Sequence, residues 1–293
     1  MAQWTDDDLL RLDAGFADQG VTLHARPLRA AVAILGGSAV LQVLSRPETV
    51  RIVERYAELV PEVSSSWPGL GIGVAASIDH VRKVVVPVPF GSCRIEIWKA
   101  LGFGSETDWW AWCRQDRDIA AGTAFAAADM HDFAHGLDEL GHGGAGADLT
   151  LWAMARSNLE DVANTLPASF SVDTVLQPIC MVVELALKAL LVRDGADPDE
   201  FRGRGGHDIR RLADRVASGR PHPDDPNVAA VVGSLPPYVV SRYRPAGLNR
   251  LQVVRLALGA QFVLASTLRR VASADLAAAF ERDGGWPAPR RPF

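Results

Sequence analysis

The chain has 293 residues, 48% hydrophobic and 22% charged, with a net charge of −5. So many apolar residues and so small a charge exclude a largely disordered chain, and no run reaches the roughly 18 uninterrupted apolar residues of a membrane span. The opening MAQWTDDDLLRLD is acidic where a secretory signal is basic and then apolar. Cys93, Cys113 and Cys180 are scattered and odd in number, which writes no disulfide framework. These features lead us to expect a cytoplasmic protein of two domains.

In chain order, residues 28–60 read as helical, with Pro47 starting a second segment on which Val50, Val53, Tyr56, Ala57 and Val60 form a stripe. Ser64–Gly73 (SSSWPGLGIG) is turn chemistry. Val81–Pro89 is β-branched and apolar, Phe90-Gly91-Ser92 breaks it, and Cys93–Trp98 (CRIEIW) alternates, so the two runs predict a β-hairpin. Asp108–Arg114 begins a helical region running through Phe133, and Gly141–Gly146 (GHGGAG) reads as a linker.

Beyond that linker the pattern is all-helical. Leu149–Leu166 predicts one helix. Ser171 or Asp173 caps the next, which runs to about Arg193 with Leu176, Ile179, Val183, Leu187, Leu190 and Leu191 on its apolar face. Gly195–Gly206 is a loop. Helices are predicted at His207–Ala217, at Val228–Val240 (bent or ended by Pro236-Pro237), at Asn249–Val271 and at Ala274–Glu281. The tail Gly284–Phe293 is expected to be mobile unless Trp286 docks.

Charge divides unevenly along the chain. From Asp148 onward there are 18 Arg and Lys against 16 Asp and Glu, a net of +2; the first 147 residues hold 12 against 19, a net of −7. The basic residues cluster at Arg202, Arg204, Arg210, Arg211, Arg215 and Arg220, and again at Arg242, Arg244, Arg250, Arg255, Arg269 and Arg270. Arginine's planar fork suits bidentate contacts to phosphate, so the bias points toward a phosphate-bearing ligand, against the alternative of solvated helix faces.

ELALKALL (Glu184–Leu191), a loop, GHDIRRL (Gly206–Leu212), YVVSRYRP (Tyr238–Pro245) and a final long helix follow one another in the second half. In order and spacing they resemble the HEPN family, over roughly residues 148–272. The resemblance implies a four- to five-helix bundle, often dimeric, associated with nucleotides or RNA, since family members serve as RNases, nucleotide binders or partners of nucleotidyltransferases. Residue chemistry agrees in part. His207 and Asp208 begin a helix whose free N–H groups favour an anion, Arg202, Arg204 and Arg210 surround that start, and Arg242-Tyr243-Arg244 adds charge with an aromatic for stacking. The structural alternative has Asp208 capping the helix, His207 satisfying backbone and Tyr243 filling core. Glu184 and Lys188, at i and i+4, read as a partly buried pair.

RNases of this family carry Arg, four to six residues and then His at the start of the last long helix, but Asn249–Val271 holds no His. Arg202 and His207 meet the bare spacing in a loop, which we read as coincidence. The first half has no nucleotidyltransferase acid pair after Ala31–Val40 (AVAILGGSAV) or after Phe90-Gly91-Ser92.

A second chemical cluster is Asp129–His142 (DMHDFAHGLDELGH). His131 and His135 stand on one helix face as a metal pair would, Asp132 takes the place of a general-base Glu, and His142 follows near Asp138 and Glu139. The spacing to His142 is one residue longer than the extended zinc-protease motif, and Asp is a methylene short. Trp98, Trp109, Trp110 and Trp112 read as core packing, with base stacking as the alternative. Cys113 beside Arg114 reads as a buried thiol, and Gly69-x-Gly71-x-Gly73 follows no strand.

The expected fold class is thus α+β: an unassigned small α/β module with a β-hairpin over residues 1–142, an all-α HEPN-like four- or five-helix bundle over 148–283, and a flexible tail over 284–293. The leading functional expectation is a homodimeric protein, regulatory or part of a defence or toxin-type system but not an intact RNase toxin. It would bind nucleotide or RNA through Arg202, Arg204, His207, Asp208, Arg210, Arg242, Tyr243 and Arg244. The alternatives are a divalent-metal hydrolase or RNase using His131, His135 and His142, and a dimeric protein-interaction module.

Overall fold

Thr5 starts the first helix with a capping box: its hydroxyl accepts from the Asp8 amide at 3.3 Å, and the Asp8 carboxylate accepts from the Thr5 amide at 2.9 Å. The computed structural model describes residues 4–36, 46–63, 69–87, 95–237, 246–282, 286–287 and 289–293, with 204 and 205 described by their backbone alone. They belong to two units, Met1–Pro68 and Gly69–Phe293.

The first unit holds helices α1 (Asp6–Asp18), α2 (Arg26–Leu35) and α3 (Pro47–Leu59). Leu9, Phe16, Ala30, Ala31, Ile52 and Tyr56 form its core. The Tyr56 hydroxyl, buried with that core, donates to Asp13 at 2.6 Å, and Arg26 donates to the same oxygen at 3.0 Å. A buried hydroxyl is thereby satisfied. Burial, followed by the hydrogen bond to Asp13, pushes the phenol pKa up. The helix start at Pro47 matches the sequence expectation.

The second unit begins with a hairpin of β1 (Gly71–Ser77) and β2 (His80–Val86), antiparallel, with Gly71 opposite Val86 and Ser77 opposite His80. The hairpin forms, but with a different partner for the Val81 run. The glycine-rich stretch read as a turn supplies β1, whereas Ile97 and Trp98 of CRIEIW lie in the short helix α4 (Ile97–Ala100). The breaker Phe90-Gly91-Ser92 and Cys93 lie outside the described residues. The reason is packing. Gly71, Gly73, Ala75 and Ser77 are the buried face of β1, small enough for close approach to the helices beneath. A Cβ at Gly73 would lie 2.3 Å from both Gln261 Oε1 and Met130 Sδ. Gln261 then staples three elements, accepting from Val74 N at 2.7 Å and donating to Val74 O at 3.1 Å and Ala126 O at 2.9 Å.

The helices follow as α5 (Glu106–Trp112), α6 (Arg117–Gly141), α7 (Ala147–Thr165), α8 (Leu176–Arg193), α9 (Ile209–Gly219), α10 (Asp225–Ser234), α11 (Arg250–Arg269) and α12 (Leu276–Arg282). The helical region expected to run from Asp108 through Phe133 is broken at Arg114 and Gln115, both at positive φ, and Asp116 restarts it by accepting from the amides of Asp118 and Ile119. Neither Ser171 nor Asp173 caps α8; a 3₁₀ turn, Asp173–Val175, leads into it. Asn249 does cap α11, accepting from Gln252 N at 2.9 Å. By length and composition, Asp173–Arg193 and Arg250–Arg269 could each cross a membrane; 78% of each apolar window is buried within the fold.

One core takes in the hairpin, α6, α7, α8 and α11 together, with Trp152 donating to Thr267 at 3.0 Å across it. The chain therefore divides at residues 68/69 and not between 142 and 148. GHGGAG is a tight connection from α6 to α7 within a single unit, because α6 buries its apolar face against α11 and β1 and has no core without them. The described residues of the tail, 286–287 and 289–293, are not loose. Trp286 lies against Trp109 and Trp110 at ring-centroid distances of 5.8 and 5.9 Å, Arg290 binds Asp129, and Phe293 sits 5.0 Å from Phe262.

Candidate functional site

Six of the twelve arginines that pointed to phosphate are committed inside the second unit. Arg269, buried on α11, donates to Asp129 at 2.5 Å and Asp132 at 2.7 Å, with Asp224 at 3.4 Å and Asp275 at 3.6 Å. Burial alone would lower its pKa; the charges of Asp129, Asp132 and Asp224 reverse this and raise it. Arg270 binds Asp225 at 2.5 Å, and Arg220 binds Asp194 at 2.6 Å and the Arg270 carbonyl at 2.8 Å. Arg250 donates to the carbonyls of Asp79 and Leu166 at 3.1 and 3.0 Å. Arg202 pairs with Asp199 and Arg215 with Glu200, both at 3.1 Å.

His207 and Arg210 are differently placed. Gly206 passes so close to the 3₁₀ turn Pro198–Phe201 that a Cβ would meet Phe201 O at 2.0 Å. That approach delivers His207 to α8, where its Nδ1 lies 3.0 Å from Glu184 Oε1. Lys188 Nζ donates to the same oxygen at 2.6 Å. Glu184 and Lys188 are buried, as their i, i+4 spacing on an apolar helix implied, and Glu184 Oε2 has no hydrogen-bond partner among the described residues. His207 and Arg210 share a cleft with Val232, Leu235 and Pro236. Arg210 Nη2 donates to Gly233 O at a long 3.5 Å.

Asp208 is the N-cap of α9, accepting from Arg211 N at 3.1 Å, so the helix's own carboxylate fills the anion position that sequence assigned to a ligand. Arg202 and His207 turn to different partners, Asp199 and Glu184, and do not form a catalytic pair. Arg242, Tyr243, Arg244 and the side chain of Arg204 lie outside the described residues. What sequence reading missed is the union of Glu184 with His207. The signal available was that Glu184 is the lone acid on α8.

The histidine cluster does not assemble as a metal centre. His131 and His135 stack with ring centroids 4.3 Å apart. Asp132 turns into the core, where it accepts from Arg269 and from the amides of Leu276 at 2.7 Å and Ala277 at 3.2 Å. Burial would raise its pKa, but His131 and Arg269 hold it below the usual carboxylate range. It is an anchor, not a general base. His142 caps the end of α6 beside a pocket shared with Asp138 and Arg156. Among the described residues, no group of three or more His, Cys, Asp or Glu could hold a metal ion.

Trp109 is core, donating to Thr123 at 3.1 Å, and Phe103 packs on Trp112 at 5.5 Å. Burial pushes up the thiol of Cys113, and that of Cys180 to about 12, with Glu184 adding to the latter. Both are buried thiols whose thiolate form is disfavoured.

No protein-family model matches the chain, nor does any curated protein or solved structure. The likeness to HEPN helices rests on the residues quoted above.

Proposed function

We propose that the second unit binds a nucleotide or the backbone of RNA at the cleft of His207 and Arg210, in a regulatory or defence-associated role rather than as an RNase toxin. The observation that carries this reading is the Glu184–Lys188–His207 arrangement. A buried carboxylate fixes the imidazole through Nδ1, so the ring is held at the rim of a cleft instead of sampling rotamers. Fixing a polar group before the ligand arrives lowers the ordering cost of binding. Arg210 adds a guanidinium that pairs with no carboxylate among the described residues, unlike Arg202, Arg215, Arg220, Arg269 and Arg270. The pairing of His207 with a buried Glu also supports reading the HEPN resemblance as that of a binding module, with Gly206-His207-Asp208 of this chain positioning the ring. The absence of His from Arg250–Arg269 speaks against the family's RNase arrangement.

Calorimetric titration of the full chain with ATP and with a short single-stranded RNA tests this. His207→Ala together with Arg210→Ala removes two charge-assisted contacts of about 1.5–3 kcal/mol each and lowers affinity at least tenfold. Unchanged affinity in the double variant, or no binding of either probe by the unaltered protein, refutes the reading.

A further inference from the structure

Asp129 lies at the base of a groove between α6 and α11, and residue 290 fills it. Arg290 donates to both carboxylate oxygens of Asp129, Nη1 to Oδ2 at 3.0 Å and Nη2 to Oδ1 at 2.6 Å. Its guanidinium carbon is 4.5 Å from the Phe125 ring centroid and 4.8 Å from that of Phe262. The side chain is 9% exposed. A carboxylate fork flanked by two aromatic rings reads the planar, five-donor guanidinium; an ammonium in its place gains no bidentate pair.

We infer that this groove is a recognition site for an arginine-bearing, proline- and aromatic-rich segment of a partner protein, and that the chain's own residues 286–287 and 289–293 occupy it as a built-in competitor. Three observations make the occupant removable. First, Asp129 is not stranded when Arg290 leaves, because Arg269 still donates to it at 2.5 Å. Second, Trp286 and Phe293 remain 39% and 43% exposed, so the segment buries only part of its apolar surface. Third, its remaining ion pair, Arg291 with Asp118 at 2.5 Å, is between side chains 74% and 57% exposed. Such pairs contribute little in water. A half-open cleft of about 310 Å³, lined by Phe125, Asp129, Leu258 and Pro287, stays beside the segment. A longer or better-fitting segment has room to compete there. The occupant itself shows the ligand chemistry: Arg290 within a stretch holding Pro287, Pro289 and Pro292, whose stiff backbone loses little entropy on docking.

The test uses the full chain carrying Arg290→Glu, which sets a carboxylate against Asp129. Hydrogen exchange should show residues 286–293 losing protection while α6 and α11 keep theirs. Fluorescence anisotropy then measures a labelled peptide of residues 286–293. It should bind the variant at least tenfold more tightly than the unaltered protein, whose groove is filled. A peptide with Lys in place of the Arg at 290 should bind at least tenfold more weakly. Three results overturn the inference: an exposed tail with no peptide binding, equal binding of the Lys peptide, or tail protection that survives the substitution. If Arg290→Glu disturbs the core, Arg290→Ala replaces it under the same criteria. Dimerisation of the unaltered protein that Arg290→Glu abolishes would overturn the partner assignment in favour of tail exchange between copies.

Discussion

Replacing Arg269 with Met keeps most of the side-chain length and removes the charge that Asp129 and Asp132 share. Asp129 retains Arg290, at 2.6 and 3.0 Å. Asp132, with no exposed side-chain surface, keeps among the described residues only the amides of Leu276 and Ala277 and the neighbouring His131. Stripping one partner from a buried pair leaves an uncompensated charge, which costs about 3–5 kcal/mol. For a unit of this size each kcal/mol is worth about 2–4 °C, so thermal unfolding should fall by about 10 °C. Urea unfolding followed by near-ultraviolet circular dichroism measures the loss directly. Arg269→Met combined with Asp132→Asn should cost less than the two single changes summed, by about 2 kcal/mol, because the second change removes the stranded charge. A loss below about 1 kcal/mol for Arg269→Met, or additivity within about 0.5 kcal/mol, would refute the network as the tie between α6 and α11.

Gly73→Ala forces a methyl to within 2.3 Å of Gln261 Oε1 and Met130 Sδ, and the resulting overpacking should cost about 1–3 kcal/mol in the same assay; an unchanged midpoint would show that β1 is not pressed against α6 and α11. Stability should also fall on acidification in two stages. Burial, then the charge of His131, depresses the pKa of His135; burial chiefly depresses that of His222. Their folded values lie below 6.5, so their contribution is complete above pH 6.5 and is lost as pH falls through the folded values. Asp132 is held below 3.8, so its contribution is complete above that pH and disappears only below it. Urea midpoints across pH 8 to 3 should show both declines, and a flat profile between 7 and 5 would remove the histidine stage.

Local signals carried the helices well. Pro47 starts α3, Asn249 caps α11, and the apolar stripe ending near Arg193 is α8, since capping and helical period are written within a few neighbouring residues. The partner of β2 was not legible. Glycine in sequence signals a turn, but at 71 and 73 it serves close packing against Met130 and Gln261, the latter nearly two hundred residues away. The same holds at the candidate site. The Glu184–Lys188 pair follows from i, i+4 spacing, whereas the link from Glu184 to His207 depends on Gly206 grazing the Phe201 backbone, which no local pattern encodes.

Charge asymmetry misled for a related reason. An acidic first half and a basic second half look like two domains, one of them seeking an anion. Yet Arg269 of α11 and the arginines of the tail find their acids on α6: Arg269 meets Asp129 and Asp132, Arg290 meets Asp129, and Arg291 meets Asp118. Arg250 likewise reaches back into the first half, to the carbonyl of Asp79 in the hairpin turn. Opposite excesses on the two sides of a glycine-rich stretch are what one folded unit produces when a long acidic helix and a long basic helix pack together. The test a sequence reader lacks is distance: an arginine free for phosphate and one neutralised by a carboxylate more than a hundred residues away look identical in the chain. Arg210, with Arg211 and Arg255, stands apart only once the other described arginines of the two clusters have been matched to their carboxylates and carbonyls.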